Sequence, residues 1–441
     1  VDGWQLNSRP RVIYASSNDG VIHAFLADDY GSDVFTAGNN LEEFACAGNK
    51  AAGTELWGFI PPMFLDDLDD QLSGGSKQWY ADGNIVVRNL YDVRAFAEDD
   101  GGGGLTDSPS GQTNVWRTVL FLSFRNGGAG MVALDVTNPC KPEFLWQFTD
   151  GDLGLTYGQP TAAQLFVEDQ DPTPRGNSGG PIVFAPRQSR AVILLPGGQG
   201  IEDSGANPCT FVSGNALPEG MDDWDGISIS PRSDRRCWRG STSVPAAVPK
   251  GRALYFIDMI TGTIIEKLDE NTFPAPLNGA VSVFRGDTGT VGSSAYTIDA
   301  DGILWRIDLS SSDPEDWDAE ALHDLYYDEV FDAAEPTYHP LSLTVDREGR
   351  IVILAGTGNV DVLDDANAKN RVVSITENLT YDVNGFVDTL EGRLNWEVKL
   401  DVGEQMTGPI ELFGGWVIFA SFKAQSGTVV DACPFGGSRV W

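Results

Sequence analysis

The segment Gly-Asn-Ser-Gly-Gly-Pro at 176–181 places Ser178 in a Gly-rich turn of the kind that can hold a nucleophilic serine. A serine hydrolase also needs a histidine base and an orienting carboxylate beside that serine. Only His23 precedes Ser178, and it lies in an apparent strand, while His323 and His339 follow the serine. Gly, Asn, Ser and Pro are also the residues that turns favour for conformational reasons. We therefore interpret this segment as an exposed loop without catalytic activity.

Thiol and zinc chemistry has little support in the sequence. The chain has five cysteines and three histidines. No two cysteines form a C-x-x-C pair, so a Cys/His zinc site is not expected. Cys209 and Cys237 bracket a long polar insertion and are the first candidates for a disulfide, which requires an oxidising compartment. The odd number leaves one cysteine free or paired with a residue outside this sequence.

Acidic loops offer a different chemistry, because Ca²⁺ binds alternating oxygen ligands. Residues 148–154 (FTDGDLG) and 298–305 (IDADGILW) each contain two aspartates. Neither segment matches a full calcium-binding loop, and both also fit hairpin turns. The tripeptide Arg285-Gly286-Asp287 is a third candidate, since an RGD sequence binds integrins when a loop tip displays it. Such a short motif also arises by chance.

The overall composition excludes several classes of function. The 441 residues are 41% hydrophobic, which is enough for a large core, so a disordered chain is not expected. The 64 acidic and 29 basic residues give a net charge of -35, which repels nucleic acids and anionic lipid headgroups. The same charge would attract cations such as Ca²⁺, or simply keep the protein soluble. No apolar run reaches the roughly 18 residues that a membrane-spanning helix needs.

Short β-branched and aromatic runs separated by Gly, Asp and Asn turns dominate the chain, and helical periodicity is almost absent. Strand–turn–strand units recur, for example at 11–29 and 118–139. They predict an all-β propeller, in which small antiparallel sheets bury both faces by stacking around an axis. No boundary divides the chain, so 1–441 is interpreted as a single propeller domain with long loop insertions. One tryptophan from each of four segments is predicted to pack between blades: Trp57, Trp146, Trp305 and Trp396.

Three stretches, taken together, resemble a known family. They are VIYASSNDGVIHAFLADD with GTELWGFIPP, then WRTVLFLSFRNGGAGMVALDVTNP with LGLTYGQPT, and finally MTGPIELFGGWVIFASFKA with DACPFGGSRVW. In this order they are similar to the C-terminal propeller domain of the PilC/PilY-type adhesins at the tips of bacterial type IV pili. The matches run from residue 11 to residue 441. Each motif is weak alone, and the specificity lies in their shared order.

The resemblance implies a modified propeller of about seven four-stranded blades, similar to that of quinoproteins, and no catalytic activity. It implies a secreted protein that passes the periplasm and outer membrane of a Gram-negative bacterium and reaches the pilus tip. There the protein would act with minor pilins in priming assembly, in surface adhesion and in controlling retraction. Members of the family carry a large N-terminal region and continue beyond the C-x-x-GG motif. The chain, which starts at Val1, is therefore expected to be a fragment of a longer protein.

One departure from the family concerns calcium. Members of the family carry a D-x-D/N-x-D-G-x-x-D loop just before the strand that reads DADGILWRIDL in this chain. The corresponding loop is RGDTGTVGS at 285–293, and Asp287 is its only carboxylate. The resemblance therefore predicts that any calcium site at Asp287 is lost or much weakened.

Two other functions are compatible with a propeller. Residues 15–57 have the pattern of small residues, Asp-Gly and tryptophan seen in quinoprotein dehydrogenases, which bind pyrroloquinoline quinone with Ca²⁺. Such enzymes often use a vicinal cysteine pair, and this sequence has no adjacent cysteines. The third alternative is a propeller scaffold with no adhesive role.

Overall fold

The fold is described from a computed structural model of the chain. The described residues are 10–30, 46, 49–66, 79–91, 116–168, 188–199, 250–273, 275–285, 291–300, 302–325, 337–358, 369–381, 383, 387–424 and 436–441. They form 24 β-strands and three 3₁₀ helices of three residues each, Pro62–Phe64, Arg125–Gly127 and Pro314–Asp316. No helix in this part of the chain is long and apolar enough to cross a membrane.

The strands group into six blades in chain order. Blade 1 contains β1 (Val12–Ser16), β2 (Ile22–Leu26) and β3 (Glu55–Phe59). Blade 2 contains β4 (Ile85–Tyr91), β5 (Trp116–Ser123), β6 (Met131–Asp135) and β7 (Glu143–Phe148). Blade 3 contains β8 (Thr161–Val167), β9 (Gln188–Pro196), β10 (Leu254–Asp258) and β11 (Ile264–Leu268).

Blade 4 contains β12 (Ser282–Arg285), β13 (Gly292–Ile298), β14 (Ile303–Asp308) and β15 (Asp318–Asp324). Blade 5 contains β16 (Ser342–Val345), β17 (Ile351–Gly356), β18 (Arg371–Tyr381) and β19 (Val387–Lys399). Blade 6 contains β20 (Glu404–Met406), β21 (Glu411–Phe413), β22 (Trp416–Ile418), β23 (Ala420–Lys423) and β24 (Gly437–Val440).

The all-β propeller architecture is confirmed, but the expectation of about seven blades is wrong for the described residues, which form six. In blades 2 to 5, four consecutive strands pair antiparallel in chain order. Blade 6 differs because β21 and β22 form a hairpin, while β20, β23 and β24 form a three-stranded sheet. The number seven came from the family resemblance. Strand patterns cannot supply it, because a hairpin looks the same in a complete and an incomplete blade.

Apolar clusters lie between each pair of consecutive blades from blade 1 to blade 6. Each cluster combines alternate side chains from two neighbouring sheets. Trp57, Trp146 and Trp305 belong to the clusters between blades 1 and 2, 2 and 3, and 3 and 4, as predicted. Trp396 is an exception, because it lies on the outer strand β19 with 36% of its surface exposed. Its sequence context resembles that of the other tryptophans, but it belongs to none of the apolar clusters that the described residues form.

A repeated side-chain hydrogen bond joins the inner strands of blades 3 to 6. The hydroxyl of Thr161, which begins β8, donates to the carbonyl of Val281 (2.6 Å). Ser282, which begins β12, donates in the same way to Leu341 (2.8 Å). Ser342 begins β16 and its hydroxyl donates to the carbonyl of Ile410. Each acceptor directly precedes the inner strand of the next blade, so these bonds fix neighbouring inner strands at the same height around the axis.

The structure contains a disulfide that the sequence did not single out. Cys46 and Cys140 are bonded, with their Cα atoms 5.3 Å apart and 94 residues apart in sequence. The bond joins the loop between β2 and β3 to the connection between β6 and β7, so it links blades 1 and 2. Cys209 and Cys237 lie outside the described residues, and their pairing remains a prediction.

Candidate functional site: the axial polar cluster

Arg125 lies at the turn between β5 and β6 and has a strained backbone. Its φ is 51°, and it is the one residue other than glycine with a positive φ among the described residues. The turn is tightly packed, because a Cβ atom added at Gly127 would lie 1.5 Å from the carbonyl oxygen of Tyr80. Non-glycine residues in the left-handed region cost free energy and concentrate at functional sites. The outlier therefore makes this turn a candidate functional position.

The side chains around Arg125 come from three blades. The Arg125 guanidinium lies 4.0 Å from an Asp82 carboxylate oxygen and 4.9 Å from the centre of the Tyr157 ring. Asn126 links the same groups, since its amide donates to Asp82 (3.1 Å) and its carbonyl accepts a hydrogen bond from the Tyr157 hydroxyl. The ring of Tyr157 lies 5.5 Å from that of Tyr338. Tyr157 precedes blade 3 and Tyr338 precedes blade 5, and such non-adjacent blades can meet only near the propeller axis.

His339 adds a neutral imidazole to this group. Burial and, to a smaller extent, the positive charge of Arg125 lower the pKa of His339 to about 4. The ring is therefore uncharged at neutral pH. We name Asp82, Arg125, Asn126, Tyr157, Tyr338 and His339 the axial cluster. Three of the short connections that lead into inner strands supply four of its members, and they read YADGN, TYGQP and TYHPL.

The axial cluster contains the chemistry to bind a carboxylate. Arg125 is a permanent cation with 32% of its side chain exposed, and an Asp82 carboxylate oxygen lies 4.0 Å from its Nε atom. Such a guanidinium can bind a carboxylate of a partner molecule by donating two parallel hydrogen bonds to it. The cluster contains no serine or cysteine that a base could activate. In the part of the chain that the structure describes, no group of three His, Cys, Asp or Glu side chains could hold a metal ion.

The described aspartates of the two acidic segments weighed as calcium loops have other partners, while Asp301 lies outside the described residues. Asp150 and Asp152 both bind the Lys267 ammonium group, at 3.0 and 2.5 Å. The Tyr255 hydroxyl also donates to Asp150 (2.8 Å). Burial raises the pKa of Asp150, but the backbone amide of Asp152 and the Lys267 ammonium outweigh it, so the net pKa is lowered. Lys267 thus supplies the positive charge that a metal ion would bring.

The segment at 298–305 is a hairpin turn, as one of its two interpretations predicted. One oxygen of the fully buried Asp299 accepts from the backbone N–H of Ile303 (3.0 Å). The other oxygen accepts from the indole N–H of Trp305 (2.9 Å). Both carboxylate oxygens are therefore engaged in holding the turn against the core.

The remaining predicted sites fall at the edge of the described residues or beyond it. Arg285 is the last residue of β12, while Gly286, Asp287 and Ser178 lie outside the described residues. The structure therefore leaves the RGD and calcium interpretations untested. His23 lies in β2, as its sequence context predicted, and its imidazole contacts the Glu55 carboxylate at 2.8 Å.

Sequence reasoning missed Arg125 and the axial cluster. The signal that could have found them is the Gly-rich turn FRNGGAG, where an arginine precedes two glycines at the end of a strand. An arginine in such a turn is unremarkable by itself. Its significance depends on φ and on side chains that are distant in sequence.

Comparison with known proteins gives consistent results. No family model matches the chain. The type IV pilus biogenesis factor PilY1 of Pseudomonas aeruginosa is 31% identical over 163 residues, which is 35% of this chain and 10% of that protein. A PilY1 homologue of Xylella fastidiosa is 28% identical over 167 residues, 36% of this chain and 10% of its own length. These alignments span about a tenth of the relatives' length.

A solved structure shows the same fold. The crystal structure of the P. aeruginosa PilY1 C-terminal domain aligns with a TM-score of 0.52 and 18% sequence identity, covering 94% of this chain and 76% of that one. The sequence match and the fold match point to the same protein, PilY1. The chain is therefore an all-β propeller homologous to the C-terminal domain of the PilY1 type IV pilus biogenesis factors.

Proposed function

We propose that this chain is the propeller domain of a non-enzymatic type IV pilus biogenesis factor that acts at the pilus tip. The observation that carries the proposal is the 31% identity to PilY1 over 163 residues. The domain would prime pilus assembly with minor pilins, contribute to adhesion and control retraction. It would be secreted through the periplasm and the outer membrane to the cell surface.

The axial cluster is the contact that we assign to this function. A protein with a net charge of -35 meets acidic partners poorly over most of its surface. Arg125 offers a local positive charge, because its guanidinium is partly exposed near the axis. A carboxylate on a minor pilin would bind there with a charge-assisted hydrogen bond.

The test uses the full-length protein in its own bacterium. One strain carries the gene without residues 1–441, and further strains carry Arg125→Gly or, as a matched control, Arg347→Gly. Arg347 is exposed in the turn before β17 and lies away from the axial cluster. We expect loss of surface pili and twitching without the domain, a reduction in both with Arg125→Gly, and no change with Arg347→Gly.

The possible outcomes distinguish the pilus function of the domain from the role of the axial cluster and from a role in adhesion. Normal piliation without the domain would overturn the pilus function. Loss of pili without the domain, combined with normal pili in the Arg125→Gly strain, would retain the pilus function and exclude the axial contact. Normal pili with poor attachment to surfaces would support adhesion over assembly. Normal pili and normal attachment would favour a scaffold with no adhesive role.

Calcium binding at Asp287 remains a proposal with its own test. Thermal unfolding of the purified chain is measured with excess Ca²⁺ and with a chelator, because a ligand that binds the native state raises the midpoint. A shift that Asp287→Ala removes would support the site, and a shift that Asp316→Ala leaves intact would show its specificity. The absence of any shift would exclude calcium control through this loop.

The enzymatic alternative is tested by cofactor binding. A quinoprotein dehydrogenase would retain or take up pyrroloquinoline quinone, which absorbs visible light. We expect the protein to remain colourless after incubation with pyrroloquinoline quinone and Ca²⁺ followed by gel filtration. Co-elution of the chromophore would overturn the non-enzymatic assignment.

A further inference from the structure

A groove lies between β1 of blade 1 and β4 of blade 2. Its volume is about 460 Å³, which is typical of ligand-binding clefts in proteins. We name it the β1–β4 groove, and its lining residues are Pro10, Arg11, Val12, Tyr14, Val87, Arg88, Asn89, Thr118 and Pro139. It follows the chain from Pro10 to Tyr14, which spans about 13 Å at about 3.3 Å per residue. The groove is therefore long enough for an extended segment of about five residues.

The floor of the groove is apolar. Val12, Tyr14 and Val87 are half-buried and pack against apolar clusters of blades 1 and 2. In the polar part of the lining, the Thr118 hydroxyl donates to the side-chain oxygen of Asn89 (2.8 Å). The amide N–H groups of Asn89 have no partner among the described residues. A side chain that enters the groove therefore meets apolar surface and an amide donor.

Two exposed arginines supply the charge of the groove. Arg88 donates to the carbonyl of the neighbouring Val87 (3.0 Å), and no carboxylate pairs with it in the part of the chain that the structure describes. Arg11 pairs with Asp28 (2.6 Å), but both side chains are exposed, so this ion pair is weak. Among the described residues, no aspartate or glutamate lines the groove, although the chain has 64 acidic and 29 basic residues. The groove is therefore a positively charged site on an acidic protein.

The strands on the two sides of the groove favour an extended occupant. Within the described residues, β1 and β4 are each the terminal strand of a sheet. A terminal strand presents backbone N–H and C=O groups along one side, and peptides bind such edges as an added strand. Successive side chains of an added strand point in opposite directions. Residues of one type can therefore face the floor while those between them reach the arginines.

We propose that the β1–β4 groove binds an extended acidic segment of a partner protein, in which apolar and acidic residues alternate. The apolar side chains lie on the apolar floor. The carboxylates accept charge-assisted hydrogen bonds from Arg88 and Arg11. Repulsion by the acidic surface disfavours binding of such a segment over most of the rest of the molecule. This groove shares no residue with the axial cluster.

The first experiment measures binding of a peptide to the full chain by fluorescence polarisation. The probe is Glu-Val-Glu-Val-Glu-amide with a fluorophore at its N-terminus. One control peptide has glutamine in place of each glutamate, and the other has the same composition with the two valines adjacent at one end. We expect saturable binding of the alternating acidic peptide alone, and weaker binding as the ionic strength rises from about 0.05 M to about 0.5 M.

Two protein variants test the role of the guanidinium. Arg88→Gln is expected to weaken binding roughly fivefold, because it removes an ion pair at an exposed position. Arg347→Gln, at an exposed arginine in the turn before β17, is expected to leave binding unchanged. Equal thermal midpoints for the two variants show that both are folded. Equal affinity of the unmodified chain for the glutamate and glutamine peptides would overturn the proposal.

Photo-cross-linking locates the bound peptide. A version with a photoreactive phenylalanine analogue in place of one valine is expected to label residues 10–14 or 85–91, as identified by peptide mapping. Labelling of the turn that contains Arg125 would overturn the proposal in favour of the axial cluster.

Failure of the unmodified chain to bind the alternating peptide would also overturn the proposal, and two measurements then identify another occupant. Dimerisation that Arg88→Glu abolishes would indicate an acidic segment of a second copy. Binding that appears after deletion of residues 1–9 would indicate a segment of the chain itself.

Discussion

The interface between blades 4 and 5 and the outer face of blade 6 contain similar residue types in opposite surroundings. In the interface, Glu377 accepts hydrogen bonds from Arg306 (2.6 Å) and from the Tyr296 hydroxyl, and all three side chains are buried. On blade 6, Phe413 and Trp416 lie opposite each other on the β21–β22 hairpin, with 76% and 74% of their surfaces exposed. The interface between blades 4 and 5 therefore buries charged groups, while the outer face of blade 6 exposes aromatic rings.

The difference arises from whether a second sheet packs against the face, and not from the residue types of the strand. A propeller sheet has two apolar faces, and each is buried only when another sheet stacks against it. Val417 and Phe419 of blade 6 pack against blade 5. Phe413, Trp416 and Ile418 alternate with them and remain exposed. An aromatic residue in this fold therefore contributes to stability only where a second sheet covers it.

The largest expected difference in unfolding free energy is between two single variants, each of which replaces one tryptophan by alanine. Trp305 is fully buried between blades 3 and 4, and its indole N–H donates to Asp299. We expect Trp305→Ala to lower the free energy of unfolding by about 3–5 kcal/mol. Trp416→Ala is expected to change it by no more than about 0.5 kcal/mol. Chemical denaturation of both variants measures the two values, and similar losses would show that the face of blade 6 is covered in solution.

Removing a buried charge should have the next largest effect. Glu377→Ala leaves the Arg306 guanidinium buried, with Asp308 at 3.2 Å as its remaining ion-pair partner among the residues that the structure describes. We expect a loss of about 3 kcal/mol in the free energy of unfolding. Asp28→Ala breaks the exposed ion pair with Arg11 and should change it by at most about 0.5 kcal/mol. Urea unfolding at low salt measures the free energy of unfolding of both variants. Equal losses would contradict the expectation that the buried charge pair matters more than the exposed one.

Acid should destabilise the protein through His339. Because burial lowers the folded-state pKa of His339 to about 4, the unfolded chain takes up a proton at a higher pH than the folded chain does. Stability from this residue is complete above the unfolded pKa of about 6.5 and is lost as the pH falls from there to about 4. The loss at pH 5 is about 2 kcal/mol.

The His339→Gln variant isolates this effect, since glutamine does not titrate in that range. The difference between its unfolding free energies at pH 7 and pH 5 should be about 2 kcal/mol smaller than that of the unmodified protein. His23→Gln, on the partly exposed face of blade 1, serves as the control. An equal reduction in both variants would exclude His339 as the source.

The smallest expected effect concerns two residues with positive φ. Arg125→Gly relieves backbone strain but loses the contact with the Tyr157 ring, so the free energy of unfolding should stay equal or rise by up to about 1 kcal/mol. Gly302→Ala, at φ 82°, imposes strain and should lower it by about 1 kcal/mol. Thermal unfolding measures both changes. A large loss in Arg125→Gly would indicate that the arginine is retained for stability and not for binding.

Local sequence patterns determined the strands and most of their turns. The turn at Asp299–Ile303 was predictable because an aspartate, a glycine and flanking apolar residues specify a hairpin through bonds within five residues. The packing of Trp57, Trp146 and Trp305 between blades was also predictable, because aromatic residues in alternating strands normally have a sheet against them. The order of three motifs was sufficient to indicate the family.

Only the tertiary structure decided which faces are covered and which distant groups meet. Trp396 has the same local context as the buried tryptophans and is nevertheless exposed, because burial depends on a neighbouring sheet. Lys267 is 117 residues from Asp150, yet it neutralises the acidic turn that the sequence offered to calcium. The axial cluster joins Arg125, Tyr157 and Tyr338 around the propeller axis. The sequence by itself determined the strands and turns, because those contacts are local. Blade number, the Cys46–Cys140 bond and the axial cluster depend on how sheets stack around the axis, which no local pattern encodes.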